Sequence, residues 1–174
     1  VRLHRIHRTG HDPIYFGPAG DIPQSRYDSP DGSYKVLYAA RTLETAFGET
    51  LVRAPETPHI LSTMVEARVR SEIVTARSLR LYPLVDAGVS AHGLSFTDLH
   101  GIDYRRSWAV SAEIHATTAA DGILYSSRFD NQRCVALFDR AADAITRTAT
   151  TSVAIGAAEA KALAHHFGKL FVEP

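Results

Sequence analysis

Residues 25–50 read SRYDSPDGSYKVLYAARTLETAFGET, and the succession of turn, strand and helix signals inside them decides how the rest of the chain is read. Asp28-Ser29-Pro30-Asp31-Gly32 is turn chemistry, with Pro30 fixing φ and Gly32 free to take positive φ. Val36 to Ala40 then reads as a buried strand. Thr42 is placed to cap a helix running to about Arg53, because Leu43, Ala46, Phe47 and Leu51 recur at helical spacing. Three residues are left over that this patterning does not require: Arg26 before the turn, Tyr38 inside the strand, and Glu49 one to two turns into the helix.

Working outward, Ile60 to Val69 alternates well enough for a strand, and the stretch from Glu72 continues with strand character to Pro83. Asp86 to Asp103, DAGVSAHGLSFTDLHGID, reads as a glycine-rich loop with short helical pieces. From Tyr104 to about Thr118 the pattern is helical, with Trp108, Ala112 and His115 or Ala116 on one side. Gly122–Tyr125 and Arg133–Phe138 form two strands around the turn-rich SSRFDNQ, and Ala157 to Val172 reads as an amphipathic closing helix. Strands and helices intermix without regular β-α-β alternation. That pattern predicts an α+β fold with a largely antiparallel or mixed sheet, built as a single domain over 1–174.

Composition bounds the chemistry. The 174 residues carry 19 basic and 19 acidic side chains, so net charge offers no argument for nucleic acid or an anionic membrane. A lone cysteine, Cys134, excludes an internal disulfide and suits a reducing compartment; within CVALF it reads as a small buried hydrophobe. No run of about 18 apolar residues occurs, and VRLHRIHRTG lacks the apolar centre of a secretion signal. A cytoplasmic protein is expected. Val1 in place of methionine points to a trimmed or non-standard start.

Several chemistries lack their motifs. Neither G-x-x-x-x-G-K-[ST] nor a strand-linked G-x-G-x-x-G is present, so a nucleotide would have to be held by side chains. No H-E-x-x-H occurs among the nine histidines, and His165 and His166 point about 100° apart on a helix, so no metal site is expected. A serine-hydrolase elbow is missing as well.

With its Arg-aromatic-Asp-x-Pro turn, the tyrosine of the next strand, the glutamate of the next helix, and the later DGILYSSRFDNQRCVALF, the chain resembles the RES-domain family from LHRIH through Phe138. The resemblance implies an ADP-ribosyltransferase-like sheet and the toxin half of a bacterial toxin–antitoxin pair. Such toxins degrade NAD by hydrolysis or phosphorolysis, or transfer ADP-ribose to a protein, and are silenced by a small Xre-like helical antitoxin. Carried onto this sequence, it assigns Glu49, Arg26 and Tyr38 as catalytic, and Arg5, Arg26, Tyr38 and Ser127 as substrate-binding. Ser126 stands where the family often has proline, and Ser107 is a second candidate for the functional serine. Arg26-Tyr27-Asp28 replaces the Gly-Gly-Arg-Trp-Asn of many members.

These residue types suit NAD as substrate, with inorganic phosphate as a conceivable co-substrate and no further cofactor. Breaking the nicotinamide–ribose bond develops an oxocarbenium-like cation, which a carboxylate such as Glu49 stabilises. Arginine's planar fork, in Arg26 and Arg5, matches a pyrophosphate. Tyr38 offers a flat surface to the nicotinamide ring, and Ser127 an uncharged hydrogen bond. The plain structural alternatives are a solvated Arg26, an i,i+4 pair between Glu49 and Arg53, a core Tyr38, and turn-forming Ser126 and Ser127. Protein ADP-ribosylation and a non-catalytic NAD-binding module stand as functional alternatives.

Overall fold

Thr42 meets its expectation: its backbone is extended and its Oγ1 accepts from the Thr45 amide at 3.2 Å, opening helix α1, Leu43–Leu51. The computed structural model describes residues 1–54 and 56–173. Around α1 lie strands β1 (Arg2–Arg8), β2 (Val36–Ala40), β3 (His59–Leu61) and β4 (Arg68–Thr75), with helix α2 (Ser62–Glu66) between the last two. There follow β5 (Leu81–Leu84), α3 (Ala87–Ala91), α4 (Phe96–His100), α5 (Arg105–Thr117), β6 (Gly122–Ser126) and β7 (Arg133–Phe138). A 3₁₀ turn at Asp139–Ala144 leads to β8 (Ile145–Arg147), β9 (Val153–Ala154), α6 (Ala157–His166) and β10 (Leu170–Val172).

Among the described residues the main sheet runs β5-β6-β7-β2-β1-β4-β8, with β9 also on β4. Its pairings are antiparallel except β5 with β6, so the fold is α+β with a mixed sheet, as expected. Both faces are covered. Along β2 and β7, Val36, Ala40, Cys134, Ala136 and Phe138 join the core under the helices, while Leu37, Ala39, Val135 and Leu137 join a second core on the opposite face. Gly122 is required where β6 crosses β7, since a Cβ there would sit 2.4 Å from the Ala136 carbonyl oxygen.

One irregularity in the sheet matters for everything below. β1 and β2 share a single register pair, His4 with Ala40. Beyond it the strands part, and Val36 at the far end of β2 pairs with Gly17 of the 9–20 loop instead. β1 stays fully paired to β4 along its other edge. The sheet is therefore wedged open at its middle.

Two expectations about the elements are corrected. The strand expected over Ile60–Val69 is broken by α2, because Ile60 and Val65 are buried while Leu61 and Met64 stand at the surface, which period-two alternation cannot satisfy. The closing helix expected over 157–172 stops at His166: Gly168 takes a φ of +65°, and Leu170–Val172 turn back to pair in parallel with β3. Helix α5 forms where expected, with Trp108, Ala112 and His115 half-buried along one side; the fully buried positions lie beside them. They are Ser107, Val110, Ser111 and Ile114.

Candidate active site

The wedge between β1 and β2 opens a pocket of about 480 Å³ on the side of α1, within the usual range for a small-molecule site. β1, β2, β6, β7 and α1 all reach it, and Arg5, Arg26, Tyr38 and Glu49 all line it. Residues spread over 45 positions of sequence are thus gathered by one break in one sheet.

Arg26 is 6% exposed, yet its Nε and Nη1 have no hydrogen-bond partner among the described residues. Glu49, from the middle of α1, likewise presents a buried Oε1 with no partner among them. The helical pair with Arg53 is not made among the described ion pairs, because α1 ends at Leu51, before that arginine. Buried donors and acceptors left unmet cost about 1–3 kcal/mol each, more when charged, so a fold keeps them only against another gain. Burial pulls the Arg26 guanidinium down, but Tyr27, Tyr125, Glu49 and Tyr104 around it outweigh this, and its net shift is upward. It stays a cation. The rings of Tyr125 and Tyr104 stand 5.8 Å and 6.0 Å from its Cζ, flanking the charge with aromatic faces.

The Arg26 segment is held by a clamp. Tyr38 donates its hydroxyl hydrogen to Asp28 Oδ1 at 2.8 Å and accepts from the Tyr27 amide at 2.9 Å. Asp28 Oδ2 accepts from the amides of Gln24 and Ser25. Burial raises the Asp28 carboxyl in spite of these donors, and raises the Tyr38 phenol further still. From the other side, α5 fastens the same segment: Trp108 Nε1 donates to the Ser25 carbonyl and Ser111 Oγ to that of Tyr27. The Tyr38 ring lines the pocket while its hydroxyl is engaged in this clamp.

Arg5 is brought to the pocket but is already engaged. Its Nη1 donates to the Pro13 carbonyl at 2.7 Å, and burial pushes the group down to about 10 against the opposing pull of Asp12 and Tyr15. Ser127 lies beside the pocket and not among its lining residues; its Oγ accepts from the Phe129 amide and its carbonyl from Asn131, holding the loop that carries Arg128 and Phe129 into the pocket. Ser126 Oγ accepts from Arg133 Nη1 at 2.6 Å. Ser107 Oγ is buried and has no partner among the described residues.

Pattern reasoning missed several lining groups. Tyr125 lies within the quoted DGILYSSR motif, but nothing in its period-two position told which face it served; it is 4% exposed and packs on Tyr27 at 5.0 Å between ring centres. Tyr104 sits just before α5, and Arg8, Arg53, Arg68 and Arg128 complete a set of six arginines around the single carboxylate of Glu49. A chain of zero formal charge therefore has a strongly cationic cavity. Cys134 lines it too, its thiol driven up first by burial and then by Glu49, which keeps it protonated. Among the described residues no cluster of metal-ligating side chains occurs, and no helix is long and apolar enough to cross a membrane.

The RES domain family model matches residues 2–156, nearly all of the described sheet and its helices. The chain belongs to the RES domain family. No curated protein sequence matches it. Among solved structures, this RES domain is similar to a chain in the crystal structure of the M. tuberculosis MbcT–MbcA toxin–antitoxin complex, with a TM-score of 0.66 and 18% identity over 79% of this chain and 73% of that one. At that identity the likeness speaks for the fold.

Proposed function

We propose that this RES domain is a toxin-type enzyme that cleaves the nicotinamide–ribose bond of NAD, and that a cognate antitoxin of the small helical Xre-like kind silences it. The observation that carries this reading is the pairing of Arg26 and Glu49 in one pocket, each with buried charged atoms that the described residues leave unmatched. A ligand with a phosphate anion and a region of developing positive charge complements both. NAD has the two in one molecule.

In the reaction the C1′–N bond breaks, and its electron pair leaves with the nicotinamide, neutralising the pyridinium ring. Positive charge builds across C1′ and the ring oxygen of the ribose. Glu49 faces that charge as a preorganised anion, and the shielding of its Oε1 from water strengthens the interaction. Arg26 binds the pyrophosphate, with its reach set by the Tyr38–Asp28 clamp. Tyr125 and Tyr104 supply flat faces beside it. Water or inorganic phosphate then adds at C1′, giving ADP-ribose or its 1″-phosphate. The likeness to a chain from a toxin–antitoxin complex supports a partner, and on this reading an antitoxin silences the enzyme by covering the mouth of the pocket.

Incubation with NAD alone tests the reading. Free nicotinamide accumulating over many turnovers, with ADP-ribose or ADP-ribose 1″-phosphate identified by mass in phosphate-free and phosphate buffers, is the expected result. Release that needs an added protein and stops when that acceptor is consumed would mean ADP-ribosyl transfer instead, and NAD binding without release would mean a non-catalytic module.

A further inference from the structure

Of the six pocket arginines only Arg26 takes part in this chemistry, and three of the remaining five stand together. Arg8 ends β1, Arg68 begins β4, and the two are register partners, so their side chains leave the same face of the sheet from directly opposite positions. That is the face covered by α1, since Ile6, two residues along β1 and on the same face, joins the core that holds Phe47 and Leu51 of α1. Arg53 follows the C-terminal end of α1 and lines the same pocket. Like charges directly opposite on neighbouring strands destabilise a sheet unless something neutralises them. Among the described residues none of the three has a carboxylate within ion-pair distance; Arg68 reaches only the adjacent Ala67 carbonyl, at 3.3 Å. The other arginines of the pocket differ: Arg26 is buried, Arg5 is bound to Pro13, and Arg128 lies over the Phe129 ring at 4.9 Å. Burial and the neighbouring charges of Arg8 and Arg53 depress the Arg68 guanidinium, in keeping with a cluster that awaits an anion.

We propose that Arg8, Arg53 and Arg68 form a subsite for a phosphate dianion at the outer part of the pocket, distinct from the place of the pyrophosphate at Arg26. Three guanidinium forks lining one pocket, from two strands and the segment after a helix, offer enough donors for the three oxygens of a terminal phosphate, whereas a pyrophosphate linkage offers only single charges on each phosphorus. Two sources carry that chemistry: inorganic phosphate, or the 2′-phosphate of a phosphorylated nicotinamide dinucleotide. The choice between sources rests on the NAD reading above, while binding of the dianion itself does not.

The test uses Arg53→Gln and Arg68→Gln. Arg53 is exposed and outside the helix, so its replacement leaves folding intact even should a change within β4 disturb it. Calorimetric titration with inorganic phosphate, which needs no turnover, is expected to show binding to the native protein that weakens about tenfold or more in each variant, the effect of one charge-assisted hydrogen bond. Nicotinamide release from NAD and NADP then assigns the source. Phosphate stimulation of NAD cleavage that the variants lose marks free phosphate; a lower KM for NADP than for NAD that the variants abolish marks the substrate's own 2′-phosphate. Unaltered phosphate binding in Arg53→Gln, or no phosphate binding together with an unchanged NADP to NAD ratio, overturns the subsite. An inactive protein that still binds phosphate through Arg53 would overturn the NAD reading and leave the subsite standing.

Discussion

The hydroxyl of Tyr38 donates to Asp28 across 2.8 Å, joining the middle of a central strand to the turn that carries Arg26. Arg26 has no polar anchor of its own at Nε or Nη1 among the described residues. Its position is inherited from its neighbours: Asp28 gathers the amides of Gln24 and Ser25, and Tyr38 receives that of Tyr27. A tyrosine that patterning treats as a ring is, in this fold, also the post to which the segment of the buried arginine is tied.

Tyr38→Phe keeps the ring and removes the post. It should cost about 1–2 kcal/mol in chemical denaturation, as the buried Asp28 carboxylate and the Tyr27 amide each lose a partner. The KM for NAD should rise with it as Arg26 loses its fixed position. A variant with native stability and native KM would reduce Tyr38 to a pocket wall.

Arg26→Ala should weaken NAD binding, raising KM more than it lowers kcat, because a pyrophosphate contact exists in the ground and transition states alike. Stability should be held or improved, since the substitution removes a buried cation with unmet donors. Thermal melting and steady-state kinetics on the same preparation check both halves; marked unfolding would make Arg26 a structural residue.

Glu49→Gln preserves volume and removes the charge facing the developing cation. The expected outcome is a fall in kcat of about a hundredfold or more with NAD affinity little changed. Since no helical pair with Arg53 is formed, the melting temperature should not drop. Nicotinamide release at the native rate would take Glu49 out of the mechanism.

The base of β6, which carries Tyr125 to the pocket, should show an acid-dependent stability. Arg77 grips Asp121 with both terminal nitrogens, at 2.8 and 2.9 Å, and this holds the carboxyl down at about 2. A folded-state value below the unfolded one, near 4, gives a contribution that is complete above about pH 4 and disappears as pH falls through about 2. Asp121→Asn should therefore lower the denaturation midpoint at neutral pH, with the gap to the native protein narrowing below pH 4. An equal gap at pH 7 and pH 3 would show that the pair contributes through packing.

Short-range physics made the neighbourhood of Thr42 readable in advance. A capping hydroxyl, a helical apolar repeat and a β-branched strand act over a few residues, so α1, β2, β6 and β7 stand where the sequence puts them. Arg26, Tyr38 and Glu49 were singled out differently, by resemblance to a family motif, and the fold brings all three to one pocket. Where elements turn and what they meet was not readable in advance. Helix α5 presents Ser107 and Ser111 to the interior because Ser111 donates to the Tyr27 carbonyl and accepts from the Tyr34 hydroxyl, partners 84 and 77 positions away that no periodicity can register. Residues 170–172 form a strand because β3 offers them an edge. The pocket itself exists because β1 leaves β2 after one register pair, and with that break Arg8, Arg53 and Arg68, unremarkable along the chain, come to share a cavity with Arg26 and Glu49. Local propensity specified the pieces of this protein; the separation of two strands, settled by contacts distant in sequence, decided which charges face one another.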